Sequence, residues 1–242
     1  MLLAIDIGNT RIKAAVFEAS TLLEVLVFDK EELQQKALFI LVTYSKINTV
    51  VVASVGNTAH SDFNFLKNKV ALHFISRESK FPFKNLYATP HTLGMDRMIL
   101  ASGATLQFPN QNRLIIDAGT CITYDFVDDK NNYLGGSISP GIRLRYEALH
   151  QFTAKLPLLS KSLPDNLIGN STSESIHSGV ILGTILEIDG FIEEYKSQYA
   201  KFIIILTGGD AEFLAKRLKN TIFAHSNFLL ESLNQTFQYN QK

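Results

Sequence analysis

The chain has 242 residues, 46% hydrophobic and 19% charged, and its 23 basic and 23 acidic residues cancel. That apolar share excludes a disordered chain, and a single cysteine, Cys121, excludes an internal disulfide framework. The absent net charge gives nucleic acid or an anionic membrane no general attraction.

The elements follow in chain order. Leu2–Ile7 is a short apolar run that predicts a buried strand, and Gly8-Asn9 predicts a tight turn. Ile12–Glu18 predicts a second strand, so the chain opens on a β-hairpin. Val50–Ser54 is the next aliphatic strand, closed by Gly56-Asn57. Met98–Leu106 carries a weak helical pattern. Leu114–Asp117 is a fourth strand, closed by Gly119-Thr120, with Ile122–Asp128 as its hairpin partner. Gly135-Gly136-Ser137-Ile138-Ser139-Pro140-Gly141 reads as a glycine-rich turn leading to a helix, of which Tyr146–Phe152 is the visible part. Ile181, Ile185, Ile188, Ile192 and Tyr195 mark one face of an amphipathic helix. Phe202–Leu206 is a fifth strand, closed by Gly208-Gly209, and the polar end Asn234–Lys242 is expected to fray. The aliphatic runs are strand-sized, short of the ~18–20 residues of a spanning helix. The start lacks a basic flank and is broken by Asp6, so neither a membrane segment nor a signal peptide is expected. The expectation is a cytoplasmic α/β protein.

The order of these signals repeats. Leu3–Thr10 and Leu114–Thr120 are each an aliphatic strand, then Asp-x-Gly, a polar turn and a second strand. Val50–Asn57 and Ile203–Asp210 are each an aliphatic strand followed by a glycine turn. This predicts a duplicated domain, 1–110 and 111–242, with the boundary in the turn-rich stretch Phe108–Asn112.

Asp6 and Asp117 sit at strand ends, where open α/β sheets place ligands. Gly8 and Gly119 would let backbone N–H groups approach phosphate oxygens. Asn9, Thr10 and Thr120 add donors, and Lys13 adds positive charge. A pair of such carboxylates suits a hydrated Mg²⁺ on polyphosphate, whereas either alone reads as a turn cap. Asp96, in Gly94-Met95-Asp96-Arg97, reads by composition as a helix cap or dipole partner. The loop Gly135–Gly141 could admit a ligand to a helix N-terminus or serve tight packing. The six histidines lack zinc-site spacing, no Gly-x-Ser-x-Gly elbow occurs, and no P-loop motif is present. Cys121 reads as a small packing residue.

Together, Asp6-x-Gly8-Asn9-Thr10, Asp117-x-Gly119-Thr120 and Thr207-Gly208-Gly209-Asp210 resemble the superfamily of acetate and sugar kinases, actin and heat-shock ATPases. Within it, Tyr87-x-x-Pro90, Gly94-x-Asp96-Arg97, Asp117–Asp125, Gly135–Gly141, Thr153–Pro157 and Gly169-x-x-Thr172 leading to Ser178-Gly179 resemble the type III pantothenate kinase family. The resemblance runs from residue 1 to about 215. It implies an α/β fold of two duplicated ribonuclease H-like domains, the actin-like ATPase fold, with an interdomain ATP cleft. It implies ATP-dependent phosphorylation of pantothenate to 4'-phosphopantothenate, the first step of coenzyme A synthesis. Asp6, Ile7, Gly8, Asn9, Thr10, Arg11, Ile12 and Lys13 would form the first phosphate loop, with Asp6 near Mg²⁺ through water. Thr120 would bind ATP. Asp117 would hold a monovalent cation, K⁺ or NH₄⁺. Tyr87, Gly94, Met95, Asp96, Arg97 and Thr172 would form the pantothenate site, with Asp96 as catalytic base. The family is dimeric, so a homodimer is expected, and no nucleic-acid or membrane partner. Two other readings compete: a kinase of the same fold acting on a sugar, and a nucleotide-dependent accessory protein without turnover.

Overall fold

The computed structural model describes residues 1–8, 10–54 and 60–242. The chain forms two compact units. The first comprises Met1–Pro109, Asn131–Tyr133 and Asn227–Lys242, and the second Asn110–Lys130 and Leu134–Ser226. The chain first passes from one unit to the other at Pro109–Asn110, and its last segment, Asn227–Lys242, returns to the first unit. Asn9 and the expected turn at Gly56-Asn57 lie outside the described residues.

In the first unit, strands β1 (Leu2–Ile7), β2 (Ile12–Glu18), β3 (Thr21–Phe28), β4 (Thr49–Ser54) and β5 (Ala71–Phe74) form a sheet in the order β3-β2-β1-β4-β5. β1 is antiparallel to β2 and parallel to β4. Every residue of β1 is buried. A strand covered on both faces reads as a continuous apolar run rather than an alternation, which is why it was legible. Leu3, Ile5 and Ile7 share a core with Ile12, Ala14, Val50 and Val52, and with Ile40 of helix α1 (Leu33–Thr43). The two-residue β6 (Lys84–Asn85) and helix α2 (Met95–Gln107) follow.

The second unit repeats the plan. Strands β7 (Arg113–Ala118), β8 (Cys121–Val127), β9 (Asn132–Pro140), β10 (Ile203–Thr207) and β11 (Phe223–Ala224) lie in the order β11-β10-β7-β8-β9. Again the first strand is antiparallel to the second and parallel to the fourth. Asn132–Tyr133, which group with the first unit, pair with β6. Helices α3 (Ile142–Gln151), α4 (Thr172–His177), α5 (Gly183–Gln198) and α6 (Ala211–Ala215) complete the unit. A π-helical turn over Ser178–Leu182 joins α4 to α5. The core gathers Leu114, Ile116, Ile122, Tyr124, Phe126 and Leu206 from the sheet with Ile181, Ile185, Ile188 and Ile192. The helical run Thr172–Gln198 has 27 residues and a mean hydropathy of 1.3, long and apolar enough to cross a membrane. No uninterrupted aliphatic run marks it in the sequence, because Glu174, Glu187, Asp189 and other polar residues are interspersed along it. The run's isoleucines face the sheet, so it reads as the core helix of this unit.

Two sequence expectations are corrected. The glycine-rich stretch 135–141 is not a turn: residues up to Pro140 form β9. A Cβ at Gly136 would overlap the Tyr124 carbonyl oxygen, and one at Gly141 would overlap those of Gly119 and Thr120. The glycines therefore permit close backbone packing. The C-terminal end does not fray. Helix α7 (Phe228–Asn240) packs on α2 and β1 in the first unit. Asn234 and Thr236 are buried, the Asn234 side chain donates to the Ala19 carbonyl at 2.9 Å, and the Asn240 side-chain amide donates to the Lys80 carbonyl at 2.9 Å. Polar composition suggested fraying, but these groups are hydrogen-bonded within the fold, so their burial carries no unsatisfied-group cost.

Candidate active site

Three clusters hold the residues of interest, two in the first unit and one in the second.

The first is the β1–β2 hairpin. Asp6 is 6% exposed near the end of β1. The register sets it beside Lys13 on β2 and Ala53 on β4. The Gly8 N–H donates to the Arg11 carbonyl at 3.1 Å, closing the turn. Ile7 and Ile12 are buried anchors, Lys13 is half-buried, and Thr10 is exposed. Arg11 turns outward, its Nε 3.6 Å from Asp29. A cavity of about 320 Å³ opens beside the hairpin, lined by Ile7, Ile12, Lys30, Leu33 and Asp62 among others.

The second cluster is built at the start of α2. Gly94 is the N-cap, and Asp96 occupies the second helical position without capping the helix through its side chain. Instead its Oδ1 accepts the Arg97 N–H at 2.9 Å. A Cβ at Gly94 would overlap that same oxygen, so the glycine makes room for the carboxylate. Burial pushes the Asp96 carboxyl above the ordinary carboxylate value, and the Arg97 N–H and its positive charge oppose part of the rise. The Arg97 guanidinium carbon lies 5.7 Å from the centre of the Tyr87 ring, within cation–π range. Tyr87 stands in turn 6.2 Å from the ring of Tyr133. Met95 is buried. The sequence motif thus assembles in space as Tyr87, Gly94, Asp96 and Arg97.

The third cluster lies along β7, β8 and β10. Asp117 is in register with Thr123 on β8 and Thr207 on β10. After Thr207 the chain turns through Gly208, whose φ of +96° is left-handed. A Cβ there would overlap Asp117 Oδ1 and the Ala118 carbonyl, so glycine is required on both counts. The Asp210 N–H donates to the Ala118 carbonyl at 3.0 Å, and Lys161 Nζ lies 2.5 Å from the Asp210 carboxylate. Thr120 sits in the turn between β7 and β8, where its carbonyl accepts the Gly141 N–H at 3.0 Å. Cys121, expected to pack, is exposed at the start of β8. Thr172 is an exposed residue at the first position of α4, whose N-cap Ser171 accepts the Glu174 N–H at 3.2 Å.

A group that sequence reasoning missed braces this region. Arg145 of α3 donates to Glu187 of α5 at 2.5 Å, to Ser139 at 2.9 Å and to the Pro140 carbonyl at 2.8 Å. The Tyr124 hydroxyl donates to the same Glu187 at 3.0 Å. Burial and the Glu187 charge push the Tyr124 phenol well above its ordinary value, so it remains a donor. Tyr124, Arg145 and Glu187 come from three separate elements, and no local spacing signals their meeting.

Repeated sheets with a carboxylate near the end of each central strand, followed by a glycine turn, define a duplicated actin-like fold. Two solved structures share the fold. One, from Campylobacter jejuni, is described as a Baf family transcriptional activator (TM-score 0.66, 22% identity, 99% of this chain and 98% of that one). The other, from Listeria monocytogenes, is described as an N-acetylmannosamine kinase (TM-score 0.58, 11% identity, 100% and 99%). At those identities the likeness speaks to fold alone.

The chain belongs to the type III pantothenate kinase family, whose model matches residues 2–194. It is 63% identical over 239 residues to the type III pantothenate kinase of Flavobacterium johnsoniae, covering 99% of this chain and 98% of that protein. It is 59% identical to that of Flavobacterium psychrophilum (99% of each) and 46% identical to that of Christiangramia forsetii (100% and 99%). The chain is accordingly a kinase.

Proposed function

We propose that this chain transfers the γ-phosphoryl group of ATP to the primary hydroxyl of pantothenate, giving 4'-phosphopantothenate and ADP, with Asp96 as the base. The observation that carries the assignment of the base is the environment of Asp96. One carboxylate oxygen is held by the Arg97 N–H, which fixes the group's orientation and leaves the other oxygen to take the hydroxyl proton. Its raised pKa brings it closer to working pH, where a base is most effective. The hydroxyl oxygen attacks phosphorus, its proton passes to Asp96, and ADP departs. Phosphoryl transfer has a loose transition state, so positioning and charge stabilisation carry most of the catalysis. Tyr87 and Arg97, joined by their cation–π contact, would shape the pantothenate site with Gly94, Met95 and Thr172.

The phosphate-binding elements are the Asp6–Lys13 hairpin and Thr120. Among the described residues no cluster of three or more His, Cys, Asp or Glu side chains could hold a metal. Mg²⁺ keeps several waters and takes most of its other oxygens from substrate phosphates, so it needs few protein ligands. Asp6 would hold it through water, and bound Mg²⁺ would offset negative charge on the phosphates. Asp117 is the residue we assign to a monovalent cation, K⁺ or NH₄⁺. We place the enzyme in the cytoplasm as a homodimer, without nucleic-acid or membrane partners.

The test is ADP release from the purified protein with ATP and Mg²⁺, with and without pantothenate, in potassium and in sodium buffer. Pantothenate-dependent turnover that rises in potassium is expected. Turnover with a sugar acceptor but not with pantothenate would overturn the reading.

A further inference from the structure

The β7–β8–β10 sheet has one aliphatic face and one mixed face. Leu114, Ile116, Ala118, Ile122, Tyr124, Ile204 and Leu206 belong to the core. Because side chains alternate along a strand, Asp117, Thr123 and Thr207 point to the opposite face. They form a single cross-strand row, Thr123–Asp117–Thr207. Two observations single this row out. Thr207 is 1% exposed, and its hydroxyl has no hydrogen-bond partner. The Thr123 hydroxyl is likewise buried and without a hydrogen-bond partner. Leaving a buried hydroxyl unmatched forfeits its hydrogen bonds to water with no compensation, which destabilises the fold. Valine would fill either position without that cost, so two such hydroxyls flanking one carboxylate call for a ligand.

Resting on the assignment of Asp117 to a monovalent cation, we infer that the Thr123 and Thr207 hydroxyls complete an oxygen site for that cation. The charge count suits the ion. One carboxylate balances a single positive charge, and hydroxyl oxygens add lone pairs without adding charge. Gly208 belongs to the same arrangement, since its missing Cβ leaves space beside Asp117 Oδ1. The first unit supplies a contrast: at the equivalent row Asp6 is flanked by Lys13 and Ala53, a cationic side chain and a methyl group, neither of which binds a cation.

The test uses Thr207→Val, Thr123→Val, Thr207→Ser and Asp117→Asn in the full chain, with two readouts independent of turnover. One is thermal stability titrated with potassium against choline. The other is thallium-205 NMR with Tl⁺ standing in for K⁺. Wild type should show a saturable potassium-specific rise in Tm and a saturable Tl⁺ signal. Each valine variant should raise the titration midpoint about tenfold or more, Thr207→Ser should restore most of it, and Asp117→Asn should abolish it. In choline alone the valine variants should be as stable as wild type or more so, because an unmatched hydroxyl has gone. Wild-type midpoints in both valine variants, with Asp117→Asn still silent, would overturn the role of the threonines while leaving Asp117 as the cation residue. A flat wild-type titration would overturn both. A large loss of stability in choline would mean that the hydroxyls serve the fold, and would also overturn the inference.

Discussion

The two units solve one problem in two ways. Each has the same strand order, with its first strand antiparallel to the second and parallel to the fourth. Each places an aspartate near the end of that first strand, ahead of a glycine turn. The neighbours differ. Asp6 is set between Lys13 and Ala53, Asp117 between Thr123 and Thr207. An ammonium in the adjacent strand brings its own positive charge, and the hairpin that carries it is suited to anionic phosphate. Two hydroxyls bring lone pairs and no charge of their own. The repeated frame thus differs at two matched positions, Lys13 against Thr123 and Ala53 against Thr207, and on our proposal these set the different roles of the two carboxylates.

The largest expected effect lies outside this matched pair, at the third carboxylate. Asp96→Asn should lower kcat by roughly 10²–10⁴, the usual contribution of a general base, while the KM for ATP stays near wild type. If turnover survived and ATP binding were lost, Asp96 would join the phosphate-binding group and the assignment of the base would fail. The acidic limb of kcat against pH should lie above that of an ordinary carboxylate, because burial raises the Asp96 pKa in the fold. The stability sign follows from the same shift. A carboxyl whose pKa is raised by folding binds its proton more tightly in the native state. The fold therefore loses stability as pH climbs from the unfolded to the folded pKa, and the loss is complete above the latter. At neutral pH Asp96→Asn should accordingly melt at or above the wild-type temperature, whereas a residue kept for structure would melt lower.

Next in size are the matched carboxylates. Asp6→Asn should weaken use of ATP and Mg²⁺ by roughly tenfold to a hundredfold, the scale of a charge-assisted contact, and leave the potassium dependence of turnover unchanged. Asp117→Asn should do the reverse, flattening the potassium response with a smaller effect on the KM for ATP. Steady-state kinetics over a potassium and ATP grid would read both. Equal loss of both responses in either mutant would dissolve the contrast between the units.

A structural effect comes third. Gly136→Ala would force β9 away from the Tyr124 carbonyl, and Gly103→Ala would force α2 away from Ser232 of α7. Each should cost about 1–3 kcal/mol, as overpacking does. For a chain of this size that lowers Tm by about 2–4 °C per kcal/mol. Limited proteolysis would show which unit opens first, and protection lost in the second unit alone is expected for Gly136→Ala.

What could be read from the chain follows from this architecture. The buried strands β1, β4, β7 and β10 were visible because burial on both faces demands uninterrupted aliphatic residues. The long helix was visible because Ile181 through Ile192 keep one face against the sheet. Strand β3 was not, because five of its eight residues are no more than half-buried apolar positions mixed with Glu24, and an edge strand needs no clean alternation. β5 and β11 are too short to show a period. β9 reads as a turn in the sequence because its Gly136 answers to the Tyr124 backbone, a contact no local pattern encodes. Asp117 was legible from Asp-x-Gly, but Thr123 and Thr207 acquire meaning only through the register that sets them on either side of it.

The smallest expected effect sharpens the first hairpin. Arg11 and Lys13 both follow the Gly8 turn and both fall in the phosphate loop implied by the family resemblance, with Lys13 read as its positive charge. The structure separates them. Arg11 faces Asp29, with both side chains 63% exposed, and an exposed pair of this kind contributes about 0–1 kcal/mol to stability. Lys13 is half-buried and stands in register with Asp6. Arg11→Ala should therefore lower Tm by no more than about 2–4 °C, the shift of a 1 kcal/mol loss, and change the KM for ATP less than twofold, whereas Lys13→Ala should raise that KM severalfold. If Arg11→Ala had the larger effect on ATP, the positive charge that distinguishes the first unit would come from the turn rather than from the strand. The two units would then differ in their loops, and the cross-strand row would lose its part in telling them apart.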